Sequence, residues 1–286
     1  METTILTEIN PISECFSKLS KNLSDRRSLD YLVENFNEDE LKTELIKFSK
    51  DFLTSTLENE IELQKRYKRK LGTFDELIKY LLKNICSKDQ LRPAMNTVFY
   101  DKEQKNIVAT DAHILAAVSL KNLPISDISE NITSFAGDVF LSHYAFDSFK
   151  IDKYGDILNE NLSDKYPKYK DILPELNYFD YSYFSINPLL FNGLKTLNKM
   201  AKKLRIKRMA VKLECLENKS YLGLSNLVRY IELHQKLYGN YSYIHFTRNS
   251  NSESSMLYNI DLLDQFRLLI MPVYGHDLNE CFDLNL

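Results

Sequence analysis

The chain has 286 residues, of which 44% are hydrophobic and 27% are charged, and its formal net charge is -3. A chain of this size and composition can bury one large or two medium hydrophobic cores, so we predict a globular protein. No segment has the roughly 18 consecutive apolar residues of a membrane-spanning helix. The first residues also lack the basic and then apolar order of a signal peptide. We therefore expect a cytoplasmic protein with no membrane partner.

Residues 1–72 are predicted to be helical. Their Leu, Ile and Phe side chains recur every three or four residues among Glu, Lys and Ser, which is the period of an amphipathic helix. The clearest helical runs cover residues 39–53 and 58–71. Ser28 and Asn37 are candidate N-caps in this region.

Helices and strands alternate after Gly72. We predict helices over residues 75–85, 187–204 and 227–238, with Pro188 suited to the first position of the second helix. The predicted strands and hairpin are residues 92–100, 106–109, 208–216, 220–224, 241–259 and 266–273. A helix followed by paired strands thus occurs twice, which predicts an α+β protein built from two related units.

The cysteines and glycines argue against two common kinds of site. Cys15, Cys86, Cys215 and Cys281 are isolated in the sequence, without a C-x-x-C pair or the Cys/His spacing of a zinc site. The chain has only seven glycines, and none forms a phosphate-binding loop pattern. We therefore predict free thiols, no metal site, no cofactor and no nucleotide-dependent enzyme.

The most informative stretch is residues 97–118, which predict a strand, a polar turn and a second strand that ends abruptly in polar residues. Thr110, Asp111 and His113 there place a hydroxyl, a carboxylate and an imidazole within one turn of chain. From the residues alone, they either pack at a strand end or include a hydrolytic pair, His113 with Asp111. No spacing in the sequence identifies the nucleophile that such a pair would need.

Three segments resemble, in the same order, the bacterial sliding clamp, which is the β subunit of DNA polymerase III. Val108-Ala109-Thr110-Asp111-Ala112-His113-Ile114-Leu115-Ala116 resembles the clamp segment Val-Ala-Thr-Asp-Gly-His-Arg-Leu-Ala. Tyr166-Pro167-Lys168-Tyr169-Lys170-Asp171-Ile172-Leu173-Pro174 resembles the Phe-Pro-Asp-Tyr-Arg-Arg-Val-Leu-Pro connection between the middle and last clamp domains. Leu269-Ile270-Met271-Pro272-Val273 resembles the Val-Val-Met-Pro-Met strand with which clamps end.

The resemblance implies a DNA-clamp-like fold of two helix-plus-antiparallel-sheet domains. Residues 73–177 would form a domain of the middle type and residues 178–273 a domain of the C-terminal type. An all-helical region, residues 1–72, precedes them, and a tail, residues 274–286, follows.

The function that the resemblance implies is that of a non-enzymatic processivity factor in DNA replication or repair. Its partners would be double-stranded DNA, DNA polymerase or other clamp-binding peptides, and further copies of itself in a homo-oligomer. The alternative is a clamp-fold adaptor that binds peptides without encircling DNA.

The resemblance also places a peptide-binding groove where the three segments would meet. Its residues, carried over position by position, are Thr110, His113, Leu115, Pro167, Ile172, Met271, Pro272 and Val273. Ala112 stands where clamps have a glycine, and Ile114 and Asp171 stand where they have arginines. The loss of two cations implies an altered partner preference.

A basic run follows the predicted helix 187–204. Its six cationic residues are Lys199, Lys202, Lys203, Arg205, Lys207 and Arg208. Because clamps hold DNA through basic inner helices, the resemblance makes these residues candidates for contact with DNA phosphates. The other interpretation is that they are solvated cations that complement the dipole at the end of a helix.

The tail ends in Cys281-Phe282-Asp283-Leu284-Asn285-Leu286, which resembles the Gln-Leu-x-Leu-x-Leu peptides by which partners dock on bacterial clamps. We hypothesise that this tail occupies the groove of its own chain, of a neighbouring copy or of a host clamp. The alternative is a frayed terminus.

Overall fold

The computed structural model describes residues 11–62, 74–119, 148–159, 165–173, 181–215, 218–238, 244–249, 257–260, 266–271 and 281–284. Its helices are α1 Pro11–Lys21, α2 Arg26–Asn35, α3 Glu38–Glu62, α4 Phe74–Asn84, α5 Phe191–Lys203 and α6 Leu224–Tyr238. Among the described residues, no helix is both long and apolar enough to cross a membrane.

The strands form two sheets. They are β1 Val98–Asp101, β2 Asn106–Thr110, β3 Ile114–Ser119, β4 Phe149–Ile151, β5 Ile157–Asn159, β6 Tyr181–Ile186, β7 Ala210–Cys215, β8 Asn218–Gly223, β9 Ile244–Asn249, β10 Leu257–Ile260, β11 Phe266–Ile270 and β12 Cys281–Asp283. Nine strands make one sheet in the order β5-β4-β1-β2-β3-β11-β10-β9-β6, and the other sheet has the order β12-β7-β8. Helices together with largely antiparallel sheets confirm the predicted α+β class.

The large sheet brings the two predicted units together where β3 pairs with β11. The pairing is antiparallel, with Ile114 opposite Ile270 and Val118 opposite Phe266. The first and third motif segments therefore lie on neighbouring strands. The domain boundaries after residues 177 and 273 remain predictions.

The N-terminal helices are confirmed within residues 11–62, but one of the two predicted caps is wrong. Asn37 caps α3, because its Oδ1 accepts the N–H groups of Asp39 and Glu40 at 3.0 Å each. Glu40 Oε2 accepts the Asn37 N–H at 2.9 Å and so completes a capping box. Ser28 instead lies inside α2, where Asp25 is the cap and accepts the Ser28 N–H at 3.3 Å.

Two other boundaries differ from the prediction. Helix α3 runs without a break to Glu62 and so joins the two predicted helical runs, 39–53 and 58–71, through residues 54–57; residues 63–71 lie outside the described chain. The start of the predicted strand 92–100 is a 3-10 helix over Pro93–Asn96. The reason is that proline has no N–H to give to a sheet ladder.

Helices α1 and α3 pack against α5. A Cβ at Gly193 of α5 would lie 2.7 Å from Leu53 Cδ2 of α3, so glycine permits this close approach. Glu38 Oε1, in the first turn of α3, accepts the Lys207 N–H at 3.0 Å. The N-terminal helices thus share the main hydrophobic core and cover one face of α5.

The end of the described chain adds an edge strand. β12 pairs in parallel with β7, and Phe282 and Leu284 are only 3% and 8% exposed. Leu284 N–H donates to the Lys212 carbonyl at 3.2 Å. Residues 281–284 therefore do not occupy the groove of their own chain, and this arm of the tail hypothesis is wrong. The alternative of a frayed terminus is wrong for these four residues as well. Burial of two apolar side chains beneath α3 stabilises this position instead.

Candidate functional site: an apolar cluster beside a cationic cavity

The loop between β2 and β3 is held by its own side chains. Thr110 Oγ1 donates to the Ile114 carbonyl at 2.8 Å and accepts the Ala112 N–H at 3.1 Å. Asp111 Oδ1 accepts the N–H groups of His113 and Ile114 at 2.9 Å each. Ala112 has a φ of 74°, in the left-handed region that favours glycine, which is the residue of the clamp motif at this position.

Arg229 of α6 fastens this loop to the end of α4. Its Nη1 lies 2.5 Å from Asp111 Oδ2, and its Nε and Nη2 donate to the carbonyls of Asn84 and Ile85 at 2.6 and 3.2 Å. Carbonyls at a helix C-terminus lack an intrahelical donor, and the guanidinium supplies two. One side chain therefore joins α4, α6 and the β2–β3 loop.

These contacts contradict a catalytic role for the His113 and Asp111 pair. A hydrolytic dyad needs the carboxylate to orient the imidazole. Here one carboxylate oxygen of Asp111 accepts two backbone N–H groups and the other binds Arg229. The carboxylate is therefore committed to holding the loop and its partner helix.

An apolar cluster lies beside the same loop, distinct from the main core. Its buried members are Phe99, Val108, Leu115, Ala117, Tyr166, Tyr169 and Leu269, and Ile172, Leu173 and Met271 pack against them. All three motif segments contribute to it. At its edge the Met271 N–H donates to the His113 carbonyl at 2.8 Å, which joins the first and third segments.

Two tyrosines of the second segment anchor it on the sheet. The Tyr166 ring stacks on Phe99 with centroids 4.8 Å apart, and its hydroxyl donates to the Val108 carbonyl at 3.4 Å. The Tyr169 hydroxyl donates to Asp101 Oδ2 at 2.6 Å. The segment thus lies over the face of the sheet that carries Leu115.

Asp101 is an ionised anchor for this segment. Burial raises the pKa of its carboxyl, but hydrogen bonds from Tyr169, the Gln104 N–H and Lys170 outweigh burial, and the pKa lies below its ordinary value. Lys170 Nζ lies 3.1 Å from Asp101 and 2.7 Å from Glu103.

The predicted groove residues separate into buried and accessible ones. Thr110 and Leu115 are only 4% and 3% exposed, so they position the loop and form the floor of the cluster. The accessible members are His113, which is exposed, and Pro167, Ile172 and Met271, which are half-buried. Pro272 and Val273 lie outside the described residues.

The six predicted DNA-binding cations are exposed at the end of α5 and just beyond it: Lys199, Lys202, Lys203, Arg205, Lys207 and Arg208. The helix ends in a Schellman motif, in which Ile206 N–H donates to Ala201 at 2.9 Å and Arg205 N–H to Lys202 at 3.2 Å. Arg205 has a φ of 60° there, a strained position for a non-glycine residue.

The sequence analysis did not identify Arg229 as a candidate and did not predict that it pairs with Asp111. They are 118 positions apart, and an arginine in an amphipathic helix carries no local signal of its partner. Both line a cavity of about 650 Å³, which Lys199 and Lys202 also line. The groove loop and the basic helix are therefore neighbours.

Comparison with known proteins gives a likeness of fold. No protein-family model and no curated protein matches the chain. Similar solved structures include bacterial sliding clamps. DNA polymerase III subunit beta from Borrelia burgdorferi is 18% identical, with a TM-score of 0.42 over 76% of this chain and 67% of that one. The clamp from Bacillus subtilis is 15% identical, with a TM-score of 0.40 over 74% and 66%.

A third, the DNA polymerase III beta chain from Streptococcus pneumoniae, is 16% identical, with a TM-score of 0.40 over 74% of this chain and 66% of that one. The chain therefore spans about two thirds of the length of these clamps.

Proposed function

We propose that this protein is a non-enzymatic, sliding-clamp-like factor of DNA replication or repair in the cytoplasm. It associates with double-stranded DNA and docks peptides of DNA polymerase or other partners in the groove that the three motif segments form. The observation that carries the proposal is the meeting of these segments, distant in the sequence, in one apolar cluster beside an exposed histidine.

The groove suits a short extended peptide. Leu115 forms the floor, and the half-buried Ile172 and Met271 leave apolar surface for two or three hydrophobic side chains. Each buried apolar side chain contributes about 1.5–3 kcal/mol before the costs of association, so we expect a Kd of roughly micromolar order. The flexible thioether of Met271 adapts to different side chains.

Contact with duplex DNA would use the exposed cations at the end of α5. Lysine and arginine bind phosphates without regard to sequence, and the affinity falls steeply with salt. The strained Arg205 supports a functional use of this turn, since a glycine there would avoid the strain.

One observation favours the alternative function. Helices α1 and α3 cover one face of α5, with Leu53 against Gly193, and so restrict how much of this helix can face a duplex. An adaptor that docks peptides without encircling DNA would need no open helical face.

The groove is tested by fluorescence anisotropy with a labelled peptide of the Gln-Leu-x-Leu-x-Leu type. We expect saturable binding that Met271→Asp weakens about tenfold or more, because a carboxylate would be buried on docking. Leu91→Asp is the matched control: Leu91 is 89% exposed and lies outside the cluster, so its replacement should leave binding unchanged. No binding by the unmodified protein, or equal loss in both variants, would refute the groove.

A further inference from the structure

The cavity next to the groove loop has the size and lining of a ligand site. It lies between the end of α4, the connection 86–92, the β2–β3 loop, α5 and α6, and its volume is about 650 Å³. Small-molecule sites typically measure about 300–1,000 Å³. Besides Arg229, six cationic side chains line it: Lys83, Lys88, Arg92, Lys195, Lys199 and Lys202.

The lining carries a strong excess of positive charge. Cationic side chains outnumber carboxylates seven to three. Asp111 is already bound to Arg229, and Asp89 lies 3.6 Å from the Nε of Arg92. The cations that make no ion pair with any described residue are Lys83, Lys88, Lys199 and Lys202. Positive potential in a concave site attracts anions.

Asn198 adds an independent sign of a ligand. It is a buried polar residue of α5, only 7% exposed, and it lines the cavity. Within the described part of the chain, its side-chain amide has no hydrogen-bond partner. The amide belongs to the lining of the cavity, where a phosphate oxygen could accept its N–H.

We propose that this cavity binds phosphate groups. They would belong either to the phosphate chain of a nucleotide or to the backbone of a single-stranded nucleic acid. Asn198 and Lys195, one turn apart on α5, and Lys202 one turn further would contact one side of the ligand. Lys83 and Lys88 would contact it from α4 and the connection 86–92. A duplex is far wider than the cavity and would meet only its rim.

The site is separate from the duplex contact proposed above, with which it shares only Lys199 and Lys202. It does not require the protein to encircle DNA. The shared chemistry is the phosphate group, and two probes distinguish its sources: inorganic triphosphate and a short oligothymidylate.

The test is isothermal titration calorimetry with each probe at constant ionic strength, using two double variants of equal net charge. Lys199→Gln with Lys202→Gln removes cations that line the cavity. Lys203→Gln with Lys207→Gln removes exposed cations that are not among its lining residues. We expect the first pair to raise the Kd of at least one probe about tenfold or more and the second pair to leave it within about threefold. Circular dichroism verifies that both variants fold.

A weakening confined to the first double variant supports the proposal, and the probe that shows it identifies the source of the phosphate. If neither probe binds the unmodified protein, or both double variants weaken binding equally, the proposal is wrong. Duplex binding measured on the same proteins tests the proposed function separately, because both pairs of cations should matter to a duplex.

Discussion

Replacement of Arg229 by methionine should be the most damaging change of a single charged side chain near the groove. Methionine keeps an unbranched apolar stem and removes the guanidinium. It therefore leaves the Asp111 carboxylate and the carbonyls of Asn84 and Ile85 without this donor.

The magnitude follows from the contacts. Hydrogen bonds that involve a charged group contribute about 1.5–3 kcal/mol each, and breaking a buried ion pair costs about 3–5 kcal/mol. The two side chains are 23% and 15% exposed, so water replaces part of what is lost. We expect Arg229→Met to lower the free energy of unfolding by about 2–4 kcal/mol. It should also weaken peptide binding, because the loop that carries His113 loses its anchor.

Urea unfolding followed by circular dichroism measures the change. Arg92→Met is the matched control, since Arg92 lines the same cavity but is 50% exposed and 3.6 Å from Asp89. It should cost no more than about 0.5 kcal/mol. A double-mutant cycle of Arg229→Met with Asp111→Asn should give a coupling energy of about 1–2 kcal/mol. A coupling energy near zero, or an equal loss of unfolding free energy in Arg229→Met and Arg92→Met, would refute the stabilising role of the Arg229–Asp111 ion pair.

Other changes test single features of the structure. Arg205→Gly relieves a positive φ and should raise the free energy of unfolding by about 0.5–1 kcal/mol while weakening duplex binding; a loss of stability would contradict this. Leu53→Ala opens a cavity between α3 and α5 and should cost about 2–4 kcal/mol in urea unfolding, and a cost below about 1 kcal/mol would argue against the packing. The pKa of Asp101 is lowered in the folded protein, so its stabilising contribution is present above the unfolded pKa of about 3.9 and is lost as the pH falls through the folded pKa. Asp101→Asn should therefore flatten the fall of Tm below about pH 4, and an unchanged profile would show that this carboxylate does not contribute. Burial raises the pKa of Cys86 to about 12. The stability that the folded protein gains from keeping this thiol neutral is therefore lost as the pH rises from about 8.5, the pKa of an unfolded cysteine, toward that value. The thiol should resist iodoacetamide near neutral pH until urea unfolds the chain, and rapid labelling of the folded protein would contradict its burial.

The α+β class was predictable because its signals are local. The three-to-four-residue spacing of apolar side chains predicts α4 to within one residue at each end. It also predicts the end of α5, although Pro188–Leu190 form a 3-10 turn before that helix begins at Phe191. Asn37 is the N-cap that the sequence indicates. The prediction that Ser28 is an N-cap is wrong because a stronger acceptor, Asp25, lies one turn earlier and caps the helix. The accessible groove residues came from the resemblance of three segments and not from periodicity.

The remaining features depend on contacts between distant parts of the chain. The Arg229 to Asp111 ion pair joins residues whose neighbours in sequence give no indication of each other. The three-residue strand β12 has too few positions to show an alternating pattern, and it forms because β7 offers a free edge and α3 covers Phe282. Packing of this kind follows from the whole fold.

Retention on circular DNA tests the central claim most directly. The protein is mixed with a primed circular duplex, and its mass is followed by light scattering during size-exclusion chromatography before and after the circle is linearised. A clamp-like factor should remain on the circle as an oligomer and leave it on linearisation. A protein that binds the peptide but never travels with the circle would contradict encirclement and establish the adaptor.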